Sequence, residues 1–521
     1  MKIKIKLDAL DVFSGTLQPS FPQLDGDRLY WLQAVLERAG AAGLYVLDLA
    51  VTDSKPRLIS PEGSEPNSKV HEYGGSSYLA NGEHVYFANA ADQQIYRLSV
   101  GSGELRQLTD DKRLRYSDFL LVAHGSYLFC IAERIVGGIN NEAMIVALAL
   151  QGVNDITQPI TLAKGADFYA GLAVDVQSKQ LAWFEWNHPN MPWDSTRLML
   201  SGVSIKPEPL LHNPRVLIDS PVASVCQPHF AVDGALVFAM DGVVSDLDGP
   251  LEEDCTGDIT SDALDSWQIL CWKDNKLERL TRDDAEYGGP FWVFGEHRIV
   301  NFNGQLAAIS SLNGQDDIVE VGDSDTNCNN NSSVGNTDVF DVVQQLLADE
   351  NAERLLALAG SAVQPLGIWC FSKSDDDTQG AWKKIVGSAP LLEEKFISRP
   401  QHFVFPTRDG EQAYAFYYPP SNGRAAAHEA APTLVMVHGG PTAQAKSLYD
   451  PMKQFWTTRG YAVLDVNHRG STGYGREFRQ SLLGRWGLRD VDDVMDAIEF
   501  AVEQGWAARE RLFVRGKSAG G

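Results

Sequence analysis

One short pattern returns seven times between residues 28 and 360: a turn-forming cluster followed by an apolar, aromatic-rich run of strand length. The runs begin at Leu29 (LYWLQ), Val85 (VYFAN), Tyr127 (YLFCIA), Leu181 (AWFEW follows), Leu236 (VFAMD follows), Arg298 (IVNFN follows) and Arg354 (LLALAG follows). Asp25-Gly26-Asp27, Asn81-Gly82-Glu83 and Asp233-Gly234 are among the turn cues. Successive runs lie 42 to 62 residues apart, and a four-stranded propeller blade repeats every ~40–50 residues before loop insertions. Seven blades are therefore expected. Companion strands at 43–50, 94–100 and 266–272 each read as the end of a blade-like unit. A ring of blades leaves only short, protected sheet edges, which suits an all-β region this long. A pair of β-sandwiches, with similar short strands and turns, is the alternative.

From about residue 398 the pattern changes to alternating strands and helices, the signature of an α/β domain. The expected division is 1–395 for the propeller and 396–521 for part of an α/β-hydrolase domain. His402–Phe405 and Gln412–Tyr418 read as a hairpin around Asp409-Gly410. Thr433–Val437 and Tyr461–Val466 are continuous apolar runs of the kind buried in a central sheet. The first runs into His438-Gly439-Gly440-Pro441 and the second into the glycine-rich Asn467–Gly475. A helix is expected from about Leu488, with Val491, Val494, Met495, Ile498 and Val502 as one apolar stripe. Asp490, Asp492 and Asp493 put negative charge at its favourable N-terminal end.

A third strand expected to be buried, Arg511–Arg515, leads into Gly516-Lys517-Ser518-Ala519-Gly520-Gly521. A G-x-S-x-G sequence directly after a strand is a nucleophile elbow: Gly516 and Gly520 permit a tight strand-to-helix turn that lifts the Ser518 hydroxyl clear of the sheet. Acyl transfer also needs two preorganised N–H donors for the developing oxyanion. Ala519, after the nucleophile, and Gly440, in a loop supported by His438, Gly439 and Pro441, are the expected pair. In this fold the triad runs Ser, then Asp or Glu, then His along the chain. His438, His402, His428 and His468 precede the serine and are expected to be structural. The triad acid and base are expected beyond Gly521, and the chain is read as a hydrolase cut short just after its elbow, inactive alone.

HGGP at 438–441, NHRGSTGYG at 467–475, GLRDVDDV at 487–494 and GKSAGG at 516–521 together resemble the prolyl oligopeptidase family of serine peptidases, in its dipeptidyl aminopeptidase and acylaminoacyl-peptidase branch. VHEYGG at 70–75 and WNHPNMPWD at 186–194 are also similar to that branch. His468 and Lys517 depart from the usual pattern without disturbing the elbow. The resemblance implies a seven-bladed propeller capping the hydrolase site, cleavage of short peptides, exclusion of folded proteins, and no cofactor or metal. Glu72, Glu185 and Asp194 are the candidates to hold a substrate amine. The alternatives are an esterase or other acyl hydrolase on the same fold, or a non-catalytic propeller interaction module.

The net charge of −25 speaks against nucleic acid and anionic membranes as partners. The basic N-terminus lacks the apolar run of a signal peptide, and no stretch reaches transmembrane length. Cys130, Cys226, Cys255, Cys271, Cys328 and Cys370 show no metal-ligand spacing and read as free thiols of a cytoplasmic protein; a homo-oligomer is compatible with all of this. The 245–265 insertion is acidic. Asp323, Asp325 and Asn327 have the spacing that opens an EF-hand loop. Cys328 and Val334 stand where that loop requires Gly and Glu, so a solvated loop is expected. The sequons at Asn330 and Asn331 matter only in a secreted protein.

Overall fold

The computed structural model describes residues 4, 6–14, 17–122, 125–137, 141–150, 156–177, 179–243, 246–247, 263–322, 332–349, 354–372, 380–422 and 430–521. Cys255, Cys328, His428, both sequons, most of the acidic insertion and the EF-hand-like Asp323, Asp325 and Asn327 lie outside them. Cys130, Cys226 and Cys370 are free thiols.

Seven antiparallel sheets follow one another between Ser20 and Val386, each a meander of four successive strands, with a fifth two-residue strand added to the fourth. They are the seven expected blades. Six of the seven apolar runs form the second strand of their blade, from Arg28–Ala34 in blade one to Leu355–Gly360 in blade seven. That strand has neighbours on both sides and both faces packed between blades, so it carries the longest uninterrupted burial. The Arg298 run is the exception. Ile299–Phe302 is the first strand of blade six, and the second, Gln305–Leu312, contains no aromatic residue. The three companion strands are third rather than last; each precedes a short outer strand, such as Arg57–Leu58, Leu105–Gln107 or Lys276–Arg279.

The innermost strands carry an extra residue in five blades, each a β-bulge against the second strand. Phe21, Asp118 and Gln227, non-glycine residues at these bulges, have φ of 47°, 54° and 55°. The strain re-aims polar side chains around the ring. Asp118 Oδ2 accepts from Leu172 N (3.1 Å), and Gln227 Oε1 from Arg298 N (2.8 Å), each in the following blade. Gln23 donates to Tyr78 O (2.7 Å), and Gln345 closes the circle on Pro22 O (3.0 Å). Among the described residues no strand is exchanged between blades seven and one. Their seam is filled by Leu29, Trp31 and Leu47 against Leu356, Leu358 and Ile368, with Arg354 paired to Asp27 at 2.5 Å.

The C-terminal sheet has the order Gln401–Pro406, Gln412–Tyr418, Ala462–Asn467, Ala431–Val437, Ala507–Gly516. The last three strands are parallel, and the hairpin enters antiparallel to them. The helix Arg489–Glu503 packs Ala497, Ile498 and Ala501 against Val435, Leu464 and Val466. The expected stripe is split: Val491 and Met495 are 53% and 46% exposed, while Val494, Ile498 and Val502 face the core together with the small alanines. Asp493, expected only to favour the helix terminus, is fully buried against Arg469 at 2.7 Å. The 511–515 run lies in a strand as expected, yet Phe513 and Val514 are about half exposed or more, because in the described sheet the strand has a neighbour on one side only.

The second domain sits on blades four to seven. Asp241, at the end of the second strand of blade five, is completely buried between Arg476 and Arg479 of the Gly475–Gln480 helix. The Arg479 guanidinium lies 3.9 Å over the Trp267 ring. Lys446 pairs with Asp316 of blade six (2.9 Å), and Tyr449 N donates to Ser361 O of blade seven (2.7 Å). The N-terminal segment also reaches across: Lys4 bridges to Leu392, and Leu7 packs with Leu391, Ile397 and Tyr449 and accepts from Arg459 at its carbonyl. Among the described residues no helix is long and apolar enough to cross a membrane.

Candidate active site

Ser518 follows the strand Ala507–Gly516, and the His438–Pro441 loop follows Ala431–Val437; these strands are parallel neighbours, with Val437 opposite Gly516. Both loops thus leave the same carboxyl edge side by side, where open α/β sheets place their ligands. Ser518 has φ of 53°, a left-handed conformation costly for a residue with a Cβ and held only when its surroundings over-determine it. Those surroundings are glycines in close contact. A Cβ on Gly520 would lie 2.5 Å from Val437 O, and one on Gly516 would collide with Gly520 O. A Cβ on Gly439 would meet Lys517 O at 2.8 Å and Ser518 Cβ at 3.2 Å. Elbow and glycine loop therefore touch backbone to backbone.

The loop is held from behind by His438. Its Nδ1 lies 2.8 Å from Gly439 O and its Nε2 2.8 Å from Ser471 Oγ, whose hydroxyl in turn donates to His468 O at 2.6 Å. The ring stacks on His468 with centroids 4.7 Å apart. Burial drives the His438 imidazole down to about 3, helped by the nearby His468. It is neutral at physiological pH, and both nitrogens are engaged away from Ser518. His402 stacks against Tyr414 and Tyr474, while Arg469, beside His468, pairs with Asp493, Asp409 and Glu411.

A cavity of about 390 Å³ opens in the propeller beside this region, lined by His71, Glu72, Glu133, Phe168, Trp186 and Trp292 among others. The VHEYGG segment builds one wall. His71 and Glu72 both have positive φ, at 54° and 64°, and a Cβ on Gly75 would lie 2.3 Å from Phe294 N. Only glycine lets this turn dock on the loop that carries Trp292. Edge-on contacts with Phe168 and Trp186 bury His71, and burial lowers its imidazole to about 3. Tyr73 stands edge-on to Trp292 at 5.1 Å, and Trp193 packs on the same indole at 4.5 Å.

Of the three acidic candidates, only Glu72 lines this cavity. Glu185 is occupied on both oxygens, by Trp183 Nε1 (3.0 Å) and Arg197 (2.8 Å). Asp194 caps the turn at Met191 N (3.0 Å). In their place the fold brings in Glu133, at 3% exposure. Its Oε1 accepts from His71 N at 2.9 Å, and its Oε2, 3.9 Å from Arg115, takes no hydrogen bond within range among the described residues. Burial raises its carboxyl above the ordinary value, opposed by the His71 N–H and by Arg115. Arg115 lies 2.8 Å from Glu72 and 3.9 Å from Glu133, so two carboxylates share one guanidinium. A glutamate ending the otherwise apolar run YLFCIAER was the available signal in the sequence.

Residues 448–521 match the model of the prolyl oligopeptidase family. Dipeptidyl aminopeptidase BIII of Pseudoxanthomonas mexicana is 33% identical over 150 residues, 28% of this chain and 22% of that protein. Acylamino-acid-releasing enzyme 1 of Oryza sativa subsp. japonica is 42% identical over 90 residues, 17% of this chain and 12% of the relative. The chain thus matches less than a quarter of the length of these curated relatives. In structure, a puromycin-hydrolyzing peptidase of Mycobacterium tuberculosis superposes with a TM-score of 0.85 at 27% identity, over 100% of this chain and 76% of that one. The resemblance read from the motifs extends to the fold of both domains.

Proposed function

We propose that the protein is a serine peptidase that releases N-terminal residues from short peptides with a free amino group. The observation that carries the reading is the left-handed Ser518, held against the His438–Pro441 loop at the edge of two parallel strands. Ser518 attacks the scissile carbonyl, the Gly440 and Ala519 N–H groups stabilise the oxyanion, and water hydrolyses the acyl-enzyme. The base and its acid partner follow the nucleophile in the chain order of this fold, so in this reading no histidine that precedes Ser518 is the base. His438 is a support and not the base.

The cavity supplies the selectivity. Glu72 and Glu133 together exceed the single charge of Arg115, and Glu133 Oε2, 3.9 Å from that guanidinium, offers an acceptor that a substrate ammonium can fill. The surrounding aromatic rings suit an apolar first side chain and the cation itself. The propeller limits access to peptides short enough to reach the cavity.

Paired aminoacyl and dipeptidyl arylamides, with free and acetylated amino groups, test the reading beside p-nitrophenyl esters. The free amines are expected to be turned over and the acetylated ones to fall away. Ser518→Ala should abolish turnover, and Glu133→Gln should lower kcat/KM for free amines by about ten- to a hundredfold, the range for a hydrogen bond to a charged group. Turnover of esters alone removes the peptidase, and equal rates on acetylated substrates remove the amine clasp.

A further inference from the structure

The propeller touches the hydrolytic machinery at two places that neither substrate recognition nor size selection accounts for. Trp292 Nε1 donates to Thr442 O at 2.7 Å, two residues beyond Gly440. Glu286, 4% exposed, accepts from Gly473 N at 3.0 Å and Gly475 N at 3.1 Å, one oxygen to each. The two grips converge. Thr472 N donates to Ala443 O (2.9 Å), which ties the gripped loops to each other, and Ser471 in the same glycine loop bonds to His438. His438 orients Gly439, whose backbone packs against Ser518.

Both grips are rigidly based. Glu286 exchanges two backbone hydrogen bonds with Ser311 in blade six, and Arg298 binds its carbonyl. Trp292 is wedged between Tyr73 and Trp193 from other blades. A tryptophan serving only as an apolar wall has no need of a donor 2.7 Å from a carbonyl of the other domain. The two amides that Glu286 takes belong to the loop whose Ser471 contacts His438, so its hold falls on that loop.

We infer that Glu286 and Trp292 are positioning residues for the oxyanion loop: the propeller sets the conformation of residues 438–443, and the oxyanion donors are in register only while the domains are docked. This rests on the serine hydrolase reading above. It adds that the propeller is part of the catalytic apparatus, acting on a loop more than 140 residues away in sequence.

Trp292→Phe, which keeps the ring and removes the donor, and Glu286→Gln, which sets an amide N–H₂ against one glycine N–H, test the inference by two readouts. Amide hydrogen exchange in segments 438–446 and 470–476 is expected to accelerate about tenfold, as for the loss of one hydrogen bond, while exchange in the helix Arg489–Glu503 stays unchanged. Hydrolysis of p-nitrophenyl acetate, too small to span from Ser518 to the aromatic cavity, is expected to lose about tenfold in kcat with KM unchanged. If Trp292 served substrate binding alone, kcat on the acetate would be untouched and KM for peptides would rise; that result overturns the inference. So does unchanged exchange in 438–446, or equal acceleration in the helix, the sign of general loosening. If the wild-type protein neither hydrolyses esters nor takes a fluorophosphonate label at Ser518, the hydrolase reading fails, and the exchange data still decide whether the propeller holds the loop.

Discussion

Asp118 shows how much one side chain in the ring can carry. It sits at a bulge with positive φ, and its carboxylate accepts from the backbone of the next blade. Burial raises it from 3.8 to about 6, against the lowering effect of the Leu172 and Gly171 N–H groups. The native state therefore holds this proton more tightly than the unfolded chain. Stability from this group rises as the pH falls from about 6 toward 4, and its cost is complete above about 7. Asp118→Asn removes the titration and keeps an acceptor for Leu172 N. The variant is expected to gain on the order of 2 kcal/mol over the wild type at pH 7.5 and nothing near pH 4, read from urea midpoints at both values. A difference that does not change with pH would remove Asp118 as its source.

Single elements of the second domain are held less by apolar stripes than by one buried cation. Arg469 is 1% exposed and ties the Asn467–Gly475 loop to the helix through Asp493 and to the hairpin tip through Asp409 and Glu411. Arg469→Met leaves Asp493 buried without its partner and is expected to cost about 3–5 kcal/mol in denaturant unfolding. Adding Asp493→Leu should recover part of that loss, since the stranded charge disappears with it. This ionic anchor also explains the misreading of the helix. Its aspartates looked like terminal charges and all five large apolar residues like the inner face, whereas the sheet takes Val494, Ile498 and Val502 with Ala497 and Ala501 and leaves Val491 and Met495 outside. The second strand was legible in six blades because burial on both faces demands an unbroken apolar run. The bulged innermost strands of five blades were not: the extra residue breaks their alternation, and polar side chains face the axis. The elbow and the glycine loop were legible because backbone crowding there admits only glycine. Glu133 was not legible because only the fold sets it beside His71, 62 positions away in sequence.

At the scale of the molecule, the two domains share buried charge. Asp241 is the only carboxylate described between Arg476 and Arg479, and all three are largely or wholly buried. Asp241→Asn removes the anion from under two guanidinium groups and is expected to weaken docking by about 3–5 kcal/mol. Calorimetry should then resolve two transitions where the wild type shows one; a single transition shifted as a whole would instead mean that other contacts carry the docking. The path of the first described residues has a consequence for how such a molecule is made. Leu7 packs on Leu391, Ile397 and Tyr449, and its carbonyl is held by Arg459. Apart from the two-residue strand added to the fourth sheet, each blade is contiguous in the chain and can settle as it is translated, whereas residues 6–14 precede the blades and meet these partners only after some four hundred more have been made. That segment is thus a latch that closes late, and a chain stalled within the seven blades still carries it open.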